Sequence, residues 1–376
     1  MKRSLSPYLL KDLTKKIVLL TGPRQVGKTT LAKMLIKNFD YLNFDNSDHR
    51  LIFLEKSWDR SKELIIFDEL HKLKNWKSWL KGIYDTEKNP PKIIVTGSAN
   101  LNTYKKIGDS LAGRFFQFRL HPLDLKEIYK FYPKSDPNKI LDKLLATSNF
   151  PEPYLNGKTI FYNRWEKSHL DIIIKQDLLD LENVSSLPSL EILIELLRHR
   201  VGSPISFSSL ARDLQVSDKT IKRWLTILEN MYVIFKVTPF HKNIARALLK
   251  TPKYYFYDTG QVKGDLSLKL ENLTACALKK EIDFKEDCYG EKKNLYYLKN
   301  KEGKEIDFFV TNEEKPQIML EVKWASEELS PNFNFYQKLW PQIKKVQLVK
   351  ELKREKTYPN KIEIRSASKW LKDFNL

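Results

Sequence analysis

The sequence predicts an α/β fold in which a parallel sheet lies between two layers of helices. The first observation is the segment Ile17–Leu31, which has the pattern of a buried strand, a glycine-containing loop and a helix. The second is that two further apolar segments, Leu64–Glu69 and Lys92–Asn100, each end in polar residues. Strands of a parallel sheet commonly end this way at its carboxyl edge. The alternation of strands with helical segments is typical of a three-layer α/β sandwich.

The loop after the first predicted strand fits the pattern G-x-x-x-x-G-K-[ST]. Its two glycines allow the backbone to curl, so that successive N–H groups point toward phosphate oxygens. Lys28 is then placed to reach the β- and γ-phosphates and Thr29 to ligate Mg²⁺, while the following helix adds the positive end of its dipole. The pattern therefore predicts a site for ATP and Mg²⁺, with contacts from Gly22, Pro23, Arg24, Gln25, Val26, Gly27, Lys28, Thr29 and Thr30.

Two adjacent carboxylates follow the strand that begins at Leu64. We expect Asp68 to hold Mg²⁺, directly or through water, and Glu69 to orient and deprotonate the attacking water. The strand from Lys92 is expected to bring Ser98 beside the γ-phosphate as a sensor of hydrolysis, with Asn100 as a possible substitute. Capping of the strand end is the alternative role for both residues.

Composition sets the scale and suggests a class of partner. The 376 residues, 41% of them hydrophobic, suffice for two or three folded domains. Lys and Arg total 66 against 47 for Asp and Glu, which gives a formal net charge of +19. Such a charge favours a polyanionic partner, with DNA or another nucleic acid first and an anionic membrane surface second. A lysine-rich composition unrelated to binding is the alternative explanation.

Cysteine usage and hydropathy bear on the compartment. The two cysteines, Cys276 and Cys288, lack the spacing of a metal site, which is typical of a protein in a reducing compartment. The first ten residues do not have the pattern of a secretion signal, and no run of about 18 apolar residues occurs. We therefore expect a cytoplasmic protein that does not enter a membrane.

The middle of the chain is predicted to be helical. Leu123–Phe131 and Pro137–Ala146 have helical spacing, and Phe161–Leu181 is expected to form one or two helices of a lid over the nucleotide. Between them, Phe150–Tyr154 is predicted to be a turn.

A helix-turn-helix pattern covers Ile205–Leu225, with Ser208 and Ser217 as expected caps and Val233–Val237 as a wing strand. The second helix can enter a major groove, and its outward residues favour phosphate contact over base reading. A packing module is the alternative. The candidate DNA contacts are Lys219, Thr220, Lys222 and Arg223.

The carboxyl-terminal segment contains a D…ExK constellation like that of the PD-(D/E)XK nuclease superfamily. Asp307 lies on the second strand of a predicted hairpin, and Glu321 and Lys323 lie on one face of the next strand. Asp307 and Glu321 are candidate Mg²⁺ ligands, Lys323 could help deprotonate the attacking water, and Glu271 on a preceding helix could add an outer ligand. The alternatives are a site that only binds, or a segment that only packs.

The order of elements in the amino-terminal part resembles the AAA+ branch of the P-loop ATPases, with a hydrolytic glutamate and an extra strand between the phosphate-binding elements. In that branch an arginine just before the fifth strand reaches the neighbouring subunit's site, where it stabilises transition-state charge. Arg114 matches this position, with Arg119 as a less favoured choice and an ordinary surface arginine as the alternative. The resemblance implies a homo-oligomer, in a ring or partial ring.

The whole chain resembles prokaryotic AAA-type ATPases whose ATPase core precedes a domain of unknown function related to PD-(D/E)XK nucleases. The landmarks are Thr21–Thr29, Asp68–Glu69, Thr96–Ser98, Ala112–Arg114, Phe150–Glu152, Tyr257–Gly260, Glu305–Phe308 and Glu321–Lys323. The resemblance implies ATP hydrolysis and a nuclease-like domain. Members often carry Arg-Asp where this chain has Lys175-Gln176-Asp177, so no arginine sensor is assigned there.

The predicted organisation has four parts. Residues 1–135 are the P-loop AAA+ core, 136–188 a helical lid or linker, 189–252 a winged helix-turn-helix and 253–376 the nuclease-like α/β domain. Three hypotheses follow: an oligomeric ATPase that binds and remodels or processes DNA, an ATP-gated assembly switch with very slow turnover, and a metal-dependent nuclease regulated by ATP.

Overall fold

The computed structural model describes residues 3–87, 91–98, 111–174, 187–241, 251–326, 328–359 and 361–376. The chain divides into two compact units. The first comprises Met1–His121 and Asn230–Tyr232, and the second comprises Pro122–Glu229 and Val233–Leu376. The second unit thus contains nearly all residues of the three parts that the sequence predicts after the ATPase core, 136–188, 189–252 and 253–376. The division into four parts stays a prediction.

The first unit is built on a parallel sheet. In chain order its elements are α1 (Ser6–Leu13), β1 (Ile17–Thr21), α2 (Lys28–Leu35), β2 (Phe39–Asn43), α3 (Ser47–Glu55), β3 (Leu64–Asp68), α4 (Trp76–Thr86), β4 (Lys92–Gly97) and β5 (Phe115–Arg119). Among the described residues the strand order is β2-β3-β4-β1-β5, and every pairing is parallel. The predicted α/β class is confirmed, and the carboxyl ends of β1, β3 and β4 meet at one edge of the sheet.

Burial explains why these segments are strands. All residues of β1 and β3 are buried, as expected of central strands covered on both faces. Phe53 and Phe67 pack with Trp58 and Trp79 in one apolar cluster on this sheet. Close packing of this cluster limits the movement of the strands that contribute to it.

The second unit contains ten α-helices among the described residues and a sheet with both parallel and antiparallel strand pairs. Its helices are α5 (Leu125–Phe131), α6 (Pro137–Ala146), α7 (Pro151–Asn156), α8 (Thr159–Ile172), α9 (Leu187–Arg198), α10 (Phe207–Asp213), α11 (Asp218–Asn230), α12 (Leu266–Tyr289), α13 (Asn332–Leu339) and α14 (Ala367–Asp373). Its strands are β6 (Ile234–Pro239), β7 (Lys253–Phe256), β8 (Lys293–Lys299), β9 (Glu305–Asn312), β10 (Lys315–Ala325), β11 (Lys344–Glu351), β12 (Lys356–Tyr358) and β13 (Ile362–Ser366). In the part of the chain described, their order is β12-β13-β11-β10-β9-β8-β6-β7.

Two local predictions differ from the structure, and a third is described only in part. Phe150–Tyr154 is not a turn, because Pro151 begins the short helix α7 and Gly157, with φ +73°, ends it. Ser206, not Ser208, caps α10 by accepting a hydrogen bond from the Ser209 N–H. Of the predicted segment Phe161–Leu181, with one or two helices, the part up to Ile172 is helical in α8, and residues 175–186 lie outside the described ranges.

The predicted wing strand is present as β6. It pairs antiparallel with β7 and parallel with β8, so it belongs to the large sheet of the second unit. The helix-turn-helix is therefore continuous in sequence with a sheet strand, and the winged-helix assignment stays a prediction. None of the helices among the described residues has the length and apolar character needed to cross a membrane.

Candidate functional site

The loop between β1 and α2 has the backbone that its glycines predict. Gly22 has φ +146°, and a Cβ there would overlap the backbone carbonyl of Leu120. That close approach arises because the Leu120 N–H donates to the Thr21 carbonyl at 2.8 Å. Gly27 has φ +96° and immediately precedes α2. A side chain at position 22 would thus push the loop away from the sheet edge.

Lys28 is buried, and its ammonium lies on the inside of this loop. Its Nζ donates to the carbonyls of Gly22 at 2.9 Å and Pro23 at 2.7 Å. An ammonium at this place, next to the first turn of α2, suits a phosphate anion. The predicted contact of Lys28 with the β- and γ-phosphates stays a prediction.

Arg3 supports the loop from outside the predicted motif. This buried guanidinium donates to the Val26 carbonyl at 3.0 Å and to the His121 carbonyl. It therefore links the apex of the loop to the segment after β5. No sequence pattern indicates this role of Arg3, because its acceptors Val26 and His121 are 23 and 118 residues away along the chain.

Asp68 is the acceptor for three hydroxyl groups. The Thr29 Oγ1 and the Tyr41 Oη each donate to its Oδ2 at 2.8 Å, and the Thr96 Oγ1 donates to its Oδ1. The sheet brings these donors together, because β3 lies between β2 and β4 and Asp68 is in register with Thr96. The predicted pair of Thr29 and Asp68 is thus in direct contact, whereas Tyr41 and Thr96 were not singled out from the sequence.

These residues fit a magnesium ion bound together with nucleotide. Thr29 and Asp68 supply hard oxygen atoms at the start of α2, beside Lys28. Among the described residues no group of three or more His, Cys, Asp or Glu side chains could hold a metal. A Mg²⁺ site that is shared with a nucleotide commonly uses one or two protein oxygens and completes its shell with phosphate and water.

Glu69 has an unusual backbone and two side-chain neighbours. Its φ is +54°, in the left-handed region, and its N–H donates to the Thr96 carbonyl at 3.0 Å. Its Oε2 lies 3.5 Å from the Ser98 Oγ and 3.5 Å from the His71 Nδ1. A non-glycine residue held in this region is often found at functional sites. The structure therefore brings Ser98 and His71 close to Glu69, and the predicted roles of Glu69 and Ser98 stay predictions.

The environment of His71 keeps its imidazole neutral. Burial lowers the pKa of His71 to about 4, with help from the positive charges of Lys72 and Lys28. The side chain is only 4% exposed. At neutral pH it therefore meets Glu69 as an uncharged group.

Arg114 precedes β5, at the predicted position, and its side chain is engaged within its own chain. Its guanidinium forms an ion pair with Asp85, in the last turn of α4. Hydrogen bonding to Asp85 raises the pKa of Arg114, and the same contact lowers the pKa of Asp85. Arg119 is the last residue of β5. Asn100, the alternative sensor, lies outside the described residues.

The predicted nuclease-like residues lie on α12, β9 and β10 of the second unit. The Asp307 Oδ2 accepts from the Val322 N–H at 2.8 Å, which ties it to the strand that carries Glu321 and Lys323. The Glu321 Oε1 contacts the Lys323 Nζ at 2.8 Å, while its buried Oε2 has no hydrogen-bond partner among the described residues. Glu271 and Asp307 interact electrostatically. The structure thus ties Asp307 to the strand of Glu321 and Lys323, and Glu271 lies within electrostatic range of Asp307.

Burial of these carboxyl groups makes their ionisation unfavourable. Desolvation, followed by the charge of Asp307, raises the pKa of both Glu271 and Glu321 to about 7. Burial also raises the pKa of Asp307. This is the electrostatic situation that a bound cation would relieve.

A buried lysine, missed in the sequence analysis, lies beside the same carboxylates. The Lys253 Nζ is 2.6 Å from the Glu305 Oε1 and 3.8 Å from the Glu271 Oε1, and its side chain is 1% exposed. The Tyr255 hydroxyl donates to Glu271 at 2.7 Å. Lys253 therefore already supplies positive charge to this cluster. The assignment of Asp307 and Glu321 as metal ligands stays a prediction.

The helix-turn-helix candidate has its charged face in solvent. Lys219, Lys222 and Arg223 are exposed and Thr220 is half-buried. The inward side of α11 is buried through Ile221, Trp224, Leu225 and Leu228. The Thr220 N–H donates to the Ser217 Oγ at 3.1 Å, so the predicted cap of this helix is correct.

Family models match two segments of the chain. Residues 14–129 match a family described as an AAA domain, and residues 138–269 match a domain of unknown function, DUF8612. With the loop and strand geometry, the first match supports an AAA-type P-loop ATPase domain in the first unit. The matches carry no nuclease assignment for the carboxyl-terminal segment, so that relationship stays a prediction.

Two relatives with similar sequences are both named as uncharacterized proteins. A protein of Mycobacterium tuberculosis is 27% identical over 248 residues, which are 65% of this chain and 54% of the relative. A protein of Methanocaldococcus jannaschii is 26% identical over 350 residues, 83% of this chain and 76% of the relative. The chain thus spans little more than half of the mycobacterial relative.

Two solved structures share low overall similarity with the chain. A DNA polymerase III gamma subunit-related protein from Thermotoga maritima aligns with a TM-score of 0.28 and 12% identity, over 61% of this chain and 97% of that one. A signal transduction ATPase with numerous domains from Pyrococcus horikoshii aligns with a TM-score of 0.23 and 16% identity, over 74% and 46%. Nothing about this chain's activity is inferred from either alignment.

Proposed function

We propose that the protein is a Mg²⁺-dependent ATP hydrolase of the AAA type. The observation that carries the proposal is the 2.8 Å hydrogen bond from Thr29 to Asp68, with Glu69 next in the chain and 3.5 Å from Ser98. This contact joins the phosphate loop to the acidic end of β3. The carboxyl edge of this sheet thus has a cation, two candidate metal ligands and a candidate base, namely Lys28, Thr29, Asp68 and Glu69.

Each residue has a distinct role in the proposed reaction. The loop N–H groups and the Lys28 ammonium bind the phosphates, and Thr29 and Asp68 hold Mg²⁺, which neutralises developing charge when bound. Glu69 accepts the proton of the attacking water. Ser98, whose Oγ is 3.5 Å from the Glu69 Oε2, is the sensor of hydrolysis. His71 faces Glu69 as a neutral group, so it does not compete with the water for the carboxylate's charge.

The test is phosphate release by the purified full chain with Mg²⁺ and ATP. We expect Lys28→Ala to abolish turnover, since it removes the buried ammonium of the loop. Lys37→Ala is the matched control, because Lys37 is exposed and lies beyond α2. A folded wild-type protein that neither binds ATP nor releases phosphate refutes the proposal.

We propose DNA as the macromolecular partner of a homo-oligomeric ATPase in the cytoplasm. Support comes from the net charge of +19 and from the exposed positions of Lys219, Lys222 and Arg223. Contacts of this kind are made to phosphates, so binding should weaken steeply with salt. An ATP-gated assembly switch remains the alternative within this class, and it predicts nucleotide-dependent assembly with very slow turnover that DNA does not change.

The DNA proposal is tested with duplex, branched and single-stranded DNA and with RNA over a range of salt concentrations. Alanine at Lys219, Lys222 and Arg223 together should weaken DNA binding. It should also reduce the slope of the logarithm of the binding constant against the logarithm of salt concentration by about three, one for each lost charge. The control variant carries alanine at three other exposed lysines of the same unit, Lys130, Lys134 and Lys139. Equal losses in both variants, or ATPase rates unchanged by every nucleic acid, would remove this proposal.

A metal-dependent nuclease is a second candidate, favoured by the unpartnered buried Oε2 of Glu321 beside Asp307 and Lys323. We expect Asp307→Ala combined with Lys323→Ala to stop DNA cleavage and to leave ATP hydrolysis intact. Purified protein that cuts no nucleic acid with Mg²⁺ or Mn²⁺ eliminates this candidate.

A further inference from the structure

We infer that Tyr41 is a positioning residue for the Mg²⁺ site, acting by fixing the Asp68 carboxylate. The inference rests on the proposed ATP hydrolysis and deepens it. Tyr41 does not belong to the phosphate-loop pattern, since it lies in the middle of β2. Its hydroxyl donates to the Asp68 Oδ2 at 2.8 Å, the same oxygen that accepts from Thr29.

Tyr41 is itself held in place from the helix that follows the phosphate loop. The Lys33 Nζ, on α2, lies 3.5 Å from the centroid of the Tyr41 ring. A tyrosine hydroxyl ordinarily ionises only near pH 10, so the phenol keeps its proton at neutral pH and acts as a donor.

The hydrogen bonds on Asp68 limit how this carboxylate can contact a metal. Each carboxylate oxygen accepts about two hydrogen bonds. Oδ2 already accepts from Thr29 and Tyr41, and Oδ1 accepts from Thr96. A direct metal bond at Oδ2 would require one of these hydroxyl groups to leave. Oδ1 accepts from Thr96 alone among the described residues, so Tyr41 and Thr29 together leave Oδ1 as the Asp68 oxygen that is open to Mg²⁺ or to a water bound to it.

Removing the Tyr41 hydroxyl would leave the Thr29 and Thr96 contacts in place but take away one of the two hydrogen bonds that fix the Asp68 Oδ2. Partners in the second shell of a metal site typically change metal affinity by about 10- to 100-fold. We expect an effect at the lower end, because two of the three hydroxyl donors remain. Binding of ATP without metal should not change, since the Tyr41 hydroxyl donates to Asp68 on β3 and not to the loop Gly22–Gly27.

The experiment compares Tyr41→Phe with the matched control Tyr84→Phe, whose hydroxyl is 3.5 Å from the Lys15 carbonyl. Binding of Mn²⁺ to the ATP-loaded full chain is measured by electron paramagnetic resonance, and ATP binding is measured in excess chelator. For Tyr41→Phe we expect about tenfold weaker Mn²⁺ binding with unchanged metal-free ATP binding, and no change for Tyr84→Phe.

A double-mutant cycle with Asp68→Asn separates positioning from general damage to the fold. If Tyr41 acts through Asp68, Tyr41→Phe adds little to the loss caused by Asp68→Asn. Mn²⁺ affinity within twofold of wild type in Tyr41→Phe overturns the inference, as does an equal loss of metal-free ATP binding or full additivity in the cycle. A wild-type chain that does not bind ATP instead refutes the proposed function, and the inference with it.

Discussion

Arg114 and Asp85 form a two-point ion pair within one chain. The Arg114 Nε lies 2.7 Å from the Asp85 Oδ1, and the Nη2 lies 3.0 Å from the Oδ2. The contact joins the residue before β5 to the last turn of α4. An arginine that acts in a neighbouring subunit must leave this partner. Both groups are partly exposed, so the exchange would cost little.

If Arg114 completes the site of a neighbouring subunit, Arg114→Ala should lower kcat by about 10³-fold or more and leave the Kd for ATP unchanged. Steady-state phosphate release and fluorescent-nucleotide binding measure the two quantities. Mixing Arg114→Ala with Glu69→Gln provides the control, because each variant lacks a different part of the site. Activity in the mixture above the sum of its components indicates action between subunits, and its absence contradicts it.

Asp85→Asn should release Arg114 and raise turnover at low protein concentration by less than about fivefold, since exposed ion pairs are weak. The readout is the ATPase rate as a function of protein concentration. The same substitution in an Arg114→Ala background should have no effect. A rise in both backgrounds would mean that Asp85 acts by another route.

Glu69→Gln should lower kcat by about 10²- to 10⁴-fold while ATP still binds, because the amide cannot accept the water's proton. Single-turnover phosphate release and equilibrium binding check the two halves of this expectation. Glu63→Gln, on the amino-terminal side of β3, is a control that lies away from the carboxyl edge. Unchanged turnover in Glu69→Gln would exclude Glu69 as the base.

The buried His71 predicts a pH dependence of the first unit. Its pKa falls from an ordinary 6.5 to about 4 on folding, so the unfolded chain binds the proton more tightly. The contribution of His71 to the free energy of unfolding should therefore be fully present above pH 6.5 and decrease as the pH drops toward 4. The contribution of this residue is about 3 kcal/mol at most.

Replacing His71 with Gln should flatten that pH dependence relative to wild type, because glutamine does not titrate in this range. Hydrogen exchange of the β3 amides, corrected for intrinsic rates, follows the first unit specifically. His199→Gln, at an exposed residue of the second unit, is the control. A slope between pH 4 and 6.5 that is the same in His71→Gln and wild type would contradict the assignment.

Asn272 predicts a stability effect in the second unit. This fully buried amide accepts from the Phe256 N–H at 2.8 Å and donates to the Phe256 carbonyl at 2.9 Å. Asn272→Ala leaves both backbone groups of an edge strand without these partners and should destabilise the unit by about 2–3 kcal/mol. The denaturant midpoint and exchange of the Phe256 amide measure the loss. Asn156→Ala, at an exposed site, should be nearly neutral.

Much of the fold and the core of the site follows from short stretches of sequence. The run Ile17–Leu20, the loop Gly22–Thr29 and the ending of β3 in Asp68 and Glu69 are each contained within a few residues. Strand periodicity, glycine conformations and the parallel arrangement that they imply act over such distances. The sequence was therefore sufficient to predict the α/β class and to name Thr29 and Asp68 as candidate Mg²⁺ ligands, and the structure shows that the two side chains are in contact.

The contacts that tune the site were decided by the tertiary structure. Tyr41 is 27 residues from Asp68, Asp85 is 29 residues from Arg114, and Arg3 reaches a carbonyl 118 residues away. No pattern in the sequence links such positions, because their proximity depends on strand order, register and the packing of helices on the sheet. Local patterns determined which chemical groups this protein has at its phosphate loop, and the folded chain determined which neighbours hold those groups in place.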